Sequence, residues 1–372
     1  MLSNSSRFLA FACLLLQATG VLSAQEPDNE PITPRRQQAS FRQLVANYNQ
    51  QTQSSLQGSC TAQNLIVRRE WSDMDDQARQ AFIQACFCLH QRPSQVNLPG
   101  ARGAQTRWDD FVAIHAINND PIHVSPILLS WHRHFNNEVE RALREECGYQ
   151  FGIPYLDFTR YQGVPPEQWP VFDNSPTSLS GNGVPTQDGC SCVTEGPLAN
   201  WVVDLGDGGT DGRCARNPQQ NGLGLNPHCL ERRFDVGQLQ FLSEQVVLGN
   251  ILNNNDAASF MPAVERGPNF MHGSMHVFVG GTQDFTAFAP GEPIFLLLHA
   301  WLDLVYCVWQ SLDPSTRFND LAPPNAYVDT RQELGQGPPP QVDMQSPLPG
   351  FQQVRVIDTM STTSGPYCYV YQ

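Results

Sequence analysis

The chain has no lysine: all 22 of its basic residues are arginine, against 36 acidic residues, for a formal net charge of −14. With cations so few and unclustered, nothing can neutralise a run of phosphates, which argues against a nucleic-acid partner. Long apolar runs are missing too. Beyond the N-terminal segment no stretch approaches the ~18 to 20 uninterrupted apolar residues that a spanning helix needs, so no membrane partner is expected. No Asn-x-Ser/Thr triplet follows that segment either, and N-glycosylation is not expected.

Residues 1–24 read as a secretory signal peptide. Arg7 supplies the positive start, Phe8 to Leu16 a short apolar core, and the small residues around Ala18 to Ala24 offer cleavage after Gly20, Ser23 or Ala24. Residues 25–59 are rich in Gln, Pro, Asn and Ser and include Arg35-Arg36, the pattern of a propeptide or flexible arm. One large domain is expected over 60–372. Of eleven cysteines, Cys13 lies in the signal, which leaves an even ten for an oxidising compartment and up to five disulfides. Cys190-x-Cys192 has half the spacing of a zinc site, but export favours disulfides.

Helical periodicity organises the domain. Ser72 and Asp75 have capping-box spacing ahead of Ala78, Phe82, Ala85 and Leu89. A second helix is predicted from about Thr106 to Ile117, a third from Ser125-Pro126, a fourth over Ala257 to Met275 and a fifth from Pro293 to Leu312. Between them, residues 172–229 are dense in Gly, Pro, Asn, Asp and Cys: a loop-rich insertion that either shapes a cleft mouth or merely decorates the surface.

Six of the nine histidines form two triplets, His115, His123, His132 and His272, His276, His299, set among apolar residues at helical spacing. His115 shares a stripe with Trp108, Phe111 and Val112, and His132 with Leu128, Phe135 and Val139. His134 lies about 200° around the helix from His132, which leaves it solvated or behind the ligands. His272 and His276 share a face as i and i+4. A lone histidine on an apolar face is more often a hydrogen-bonded core residue; two triplets have the layout of a paired-metal site.

The flanks sharpen that layout. The first half reads His115, His123, Trp131-His132-Arg133-x-Phe135, then Pro154-Tyr155-x-Asp157. The second reads His272-x-x-x-His276-Val277-x-Val279-Gly280-Gly281, Pro293-Ile294-Phe295, His299-Ala300-x-x-Asp303. In this order the segments resemble the CuA and CuB motifs of the type-3 copper proteins (tyrosinases, catechol oxidases and hemocyanins) over roughly Cys60 to Gln372.

The resemblance implies a mainly α fold, a four-helix bundle around a binuclear copper centre, with long disulfide-stapled loops and few short strands. It implies two copper ions, O₂ and a small phenolic substrate, and a secreted oxidase taking o-diphenols or o-aminophenols to o-quinones. A tyrosinase with monophenol hydroxylase activity, or an oxygen-binding protein like hemocyanin, are the other readings. Oligomeric state is not legible. By the same matching Phe295 packs against the metal pair, Asp157 and Asp303 anchor ligand imidazoles, and Glu265 corresponds to a glutamate that holds a water near the phenol, unless it is an exposed helix charge. Members efficient on monophenols often carry asparagine after the first CuB histidine. This chain has Gly273, whose lack of a side chain favours diphenol oxidation.

Some positions depart from the pattern. Leu298 stands where the first histidine of a His-His pair is usual, with the ligand His299 kept, Leu304 replaces an arginine and Glu292 an aspartate, and Pro121 removes the cysteine that forms a thioether to the second CuA histidine in many fungal members. The absence of lysine is either compositional bias or a protection against arylation by released quinones.

Overall fold

A computed structural model describes residues 40–56, 58–96, 98–208, 214–265 and 270–372. The expected signal peptide and residues 25–39 of the expected arm fall outside these residues. Helices α1 (Phe41–Ser54), α2 (Asp76–Gln91), α3 (Arg107–Ile117), α4 (Asn119–Ile122) and α5 (Leu128–Cys147) precede the insertion. After it come α6 (Glu244–Asn253), α7 (Ala257–Glu265), α8 (Met271–Val279), α9 (Ile294–Ser311), α10 (Pro314–Arg317) and α11 (Val328–Glu333). Strands are short and pair only two by two among the described residues, as expected for a mainly α fold.

Local chemistry sets the helix ends. Thr106 and Asp109 form a reciprocal capping box at α3, each side chain accepting from the other's backbone N–H at 3.1 and 2.8 Å. Ahead of α2 the cap is Asp75, which accepts from Ala78 N–H at 2.8 Å. Ser72, expected in a capping box with it, lies instead in a separate 3-10 turn over Trp71–Asp73. Gly148, at φ 72°, ends α5 in the left-handed conformation that glycine adopts without a Cβ clash. The single helix expected over Ala257 to Met275 is two, α7 and α8.

α9 is the axis of the core. It is long and apolar enough to cross a membrane, yet 94% of it is buried inside the protein. Each large side chain it buries, Trp301, Trp309 and Phe295 among them, stabilises the fold by ~1.5–3 kcal/mol relative to exposure. α5 packs along α9, α2 supports α5, and α3 and α8 complete the bundle.

The arm expected to be flexible as far as residue 59 is helical over Phe41–Ser54. Ser40 caps α1 by accepting from Gln43 N–H at 3.2 Å, and Phe41, Leu44 and Tyr48 bury one stripe against α9 and the C-terminal strand. One apolar stripe suffices to dock a helix whose other faces are polar. Composition hid it.

Four disulfides are present among the described residues, within the expected bound of five: Cys60–Cys368, Cys88–Cys147, Cys190–Cys214 and Cys192–Cys229. The first spans 308 residues and, with the parallel pairing of Ile66–Arg68 to Tyr369–Tyr371, ties the two ends of the domain together. The last two staple the insertion, and their bonding removes the zinc alternative. Cys86 and Cys307 are free and buried, and burial pushes both thiols up, Cys307 to about 12, so neither is nucleophilic near neutrality. Titration of the denatured, unreduced chain lacking residues 1–24 should find these two thiols, and the native protein none. A fully bonded chain would contradict the pairing.

Candidate metal centre

The bundle brings both histidine triplets to one place. His115 comes from the last turn of α3, His132 from the first turns of α5, His272 and His276 from α8, and His299 from α9. His123 is the exception. It follows α4 in extended conformation and is delivered by loop geometry.

The donor nitrogens of each triplet lie within 4.8 Å of one another, and all six side chains are buried. Across the triplets the rings of His132 and His299 stack at 4.2 Å and 11°, and those of His123 and His272 at 5.6 Å and 13°. Burial drives every one of the six below the ordinary imidazole value, His123 and His276 to about 4, so the rings are neutral near pH 7.

Hydrogen bonds fix which nitrogen carries the proton. Nδ1 of His115, His123 and His132 faces the carbonyls of Ala287, Asn119 and Leu128 at 2.9, 2.9 and 2.8 Å, and a carbonyl only accepts. Gln283 donates its Nε2–H to the Ala289 carbonyl at 2.6 Å, which turns its Oε1 to His276 Nδ1 at 2.8 Å. In these four rings Nε2 therefore bears a lone pair.

Those lone pairs point at each other. Nε2 of His115 and of His132 stand 3.2 Å apart with no proton between them, and His276 Nε2 is 3.2 Å from the Nε2 atoms of His272 and His299. His123 Nε2 is buried with no partner. Converging imidazole lone pairs in a dry site repel unless a cation lies among them, and three neutral imidazoles suit copper better than a hard ion. The residues fit two copper ions, one per triplet.

Phe295 lies where its expected role requires, its ring 4.2 Å from that of His299 and 5.3 Å from that of His115. Glu265 is not an exposed helix charge. It is buried and accepts from the backbone N–H groups of Val124 and, at 3.0 Å, Ser125. Burial pushes its carboxyl up to about 8 against the pull of those two N–H groups and Arg331; bound cations would act in the opposite direction. Glu265 and Gly273 line one 510 Å³ cavity with His123, His272 and His276.

Other expectations need correcting. Asp303 and Asp157 anchor no imidazole. Asp303 pairs with Arg133 at 2.6 Å and accepts from the hydroxyls of Tyr369 and Tyr371, while Asp157 caps the turn at Thr159. Backbone carbonyls anchor His115, His123 and His132, and Gln283 anchors His276. His134 is buried, not solvated, with Nδ1 2.9 Å from the Tyr367 hydroxyl. Glu292 is a buried partner of Arg232 at 2.7 Å rather than a helix cap. The described residues of the insertion do not line the cavity; they brace the segment that holds His115, Trp201 Nε1–H donating to the Gly291 carbonyl at 2.8 Å.

Arg331 was invisible in the sequence. From α11 its guanidinium reaches the carbonyls of Asp120 and His123, both at 3.2 Å, and the Asp120 carboxylate at 2.8 Å. Glu265 holds the N–H side of the same loop, where Val124 takes φ 48°, unusual for a β-branched residue. The two side chains clamp the one ligand that no helix positions. Arg331→Ala should weaken copper binding by ~10- to 100-fold, the usual scale for a group supporting a ligand, measured by chelator competition; unchanged affinity would show that the loop holds itself.

The common central domain of tyrosinase matches residues 105–312, which include both triplets. The chain belongs to the tyrosinase family. It is 35% identical over 345 residues to the tyrosinase-like protein orsC of Emericella nidulans, covering 83% of this chain and 90% of that one. It is 30% identical over 359 residues to the N-acetyl-6-hydroxytryptophan oxidase ivoB of the same fungus, covering 84% and 94%. Among solved structures it matches a variant of the polyphenol oxidase from Thermothelomyces thermophila with TM-score 0.76 at 30% identity, over 89% of this chain and 94% of that one. A tyrosinase-type domain implies a binuclear copper centre, and the two triplets are where this chain can hold it. The protein is a copper oxidase of this family.

Proposed function

We propose that this tyrosinase-family oxidase is exported and converts o-diphenols to o-quinones, or o-aminophenols to o-quinone imines, while reducing O₂ to water. Two diphenols release four electrons and four protons, which together take one O₂ to two waters. The observation that carries the reading is the convergence of the Nε2 lone pairs in two facing triplets at the floor of an open cavity. Bound copper supplies the electron exchange between phenol and dioxygen.

The chain's own residues do the rest. Ala287, Asn119, Leu128 and Gln283 keep Nε2 of four imidazoles unprotonated and aimed inward. Phe295 closes the inner side of the site to water. Gly273 offers no side-chain acceptor to an incoming monophenol, and both Glu265 oxygens are already engaged by backbone N–H groups, which favours diphenols over monophenols. The disulfides and the leader-like N-terminus support export.

The test compares 4-tert-butylcatechol with 4-tert-butylphenol on copper-loaded protein. The diphenol should be oxidised at least about tenfold faster, a difference of ~1.4 kcal/mol in barrier. Equal rates would make the protein a monophenol hydroxylase instead.

A further inference from the structure

Gly273 carries a second consequence besides its missing acceptor. An ideal Cβ built on it falls 2.9 Å from both Cδ2 and Cε2 of Phe270, so the Phe270 ring occupies the space that any other residue at 273 would fill. Phe270 stands just before α8 and folds back over the helix's first turn, where it stacks on Phe241 at 5.7 Å and 27°. Glycine inside a helix costs about 1 kcal/mol relative to alanine; here it gives an aromatic ring a seat on bare backbone. That ring also lines the cavity over the histidines, as do Val277 and Leu334. The last two are 38% and 42% exposed, an apolar rim facing solvent at the entrance.

We propose that Phe270, seated on Gly273, is a specificity-determining residue: with Val277 and Leu334 it forms the wall that receives an apolar ring substituent of the phenolic substrate. The proposal rests on the diphenol oxidase reading and names the substrate class: phenols that bear an apolar group away from the reacting hydroxyls. A plain catechol would fill only a small part of the 510 Å³ cavity, and Val277 and Leu334 carry the apolar wall out to solvent. A side chain at 273 would push the ring off its seat toward that entrance, so the two positions must act together.

The experiment uses the copper-loaded chain without oxygen and two probes, resorcinol and a 4-alkylresorcinol, whose meta hydroxyls cannot form an o-quinone. Dissociation constants are measured by calorimetry for the wild type, Phe270→Ala, Phe270→Leu, Gly273→Ala and the Phe270→Ala/Gly273→Ala pair, with copper content checked in each. Phe270→Ala should weaken the alkylated probe by roughly five- to tenfold, the scale of one aromatic contact, and leave resorcinol within twofold. Phe270→Leu, which retains apolar bulk, should fall between. Gly273→Ala should weaken the alkylated probe in the wild type but change it by less than about twofold once Phe270 is gone, because coupled residues are not additive.

Equal losses for both probes in Phe270→Ala, or an undiminished Gly273→Ala effect in the Phe270→Ala background, would overturn the proposal. Oxidation of catechol and 4-tert-butylcatechol in air is followed alongside. Its absence would defeat the oxidase reading while the binding series still decided the role of Phe270.

Discussion

His276→Ala is expected to leave one copper per chain where the wild type holds two, and to slow 4-tert-butylcatechol oxidation at least about thousandfold, ~4 kcal/mol in barrier. His276 is central to its triplet: its Nε2 stands 3.2 Å from those of both His272 and His299, and Gln283 fixes its proton on the far side. Loss of a group that only supports a ligand costs ~10- to 100-fold in affinity or activity. Loss of the ligand itself removes one of three donors and, with that copper, half of the electron exchange. Gln283→Ala provides the graded control, since its imidazole is no longer held but remains. Metal analysis and oxygen uptake on the same sample check both variants; two coppers with more than a tenth of wild-type rate in His276→Ala would contradict the assignment.

The largest stability effect is expected from Asp303→Ala. Its carboxylate takes Arg133 Nε–H at 2.6 Å and the hydroxyls of Tyr369 and Tyr371 at 2.6 and 2.7 Å, all buried, and Arg68 lies 3.7 Å away. Removing it leaves Arg133 as a buried cation with carbonyl, thiol and amide neighbours but no carboxylate. Breaking a buried pair in this way costs ~3–5 kcal/mol. The damage should reach the metal site, because Arg133 follows His132 and Asp303 lies one turn after His299, whose rings stack across the same α5–α9 seam. Denaturant unfolding with the disulfides intact measures the loss. A change under ~1 kcal/mol would mean that the network is incidental to stability.

What could be read from the sequence is what repeats locally. His115 and His132 sat on apolar stripes, His272 and His276 on one helix face, and α3 began near Thr106 as expected, because helical period acts within a few residues. The ligand supports could not be read that way. Ala287 and Asn119 act through backbone carbonyls that any residue would provide, and Arg331 reaches the His123 loop from 208 positions away. Asp303 sat at the right spacing to face His299 but found stronger partners in Arg133 and two tyrosines, contacts across elements that no local pattern encodes. α1 failed for the opposite reason: a polar composition concealed one sufficient apolar stripe. The missing side chain of Gly273 was legible, but the ring of Phe270 lying in its place depends on how the chain enters α8 and was not.

Two facing histidine triplets that hold a copper pair should couple phenol oxidation to oxygen reduction. Oxygen uptake with 4-tert-butylcatechol, read against copper content in the same preparation, tests that coupling most directly. Two coppers per chain and one O₂ consumed for every two quinones formed are expected; two coppers with no uptake, or a protein that takes up no copper at all, would rule out a copper pair working in this way.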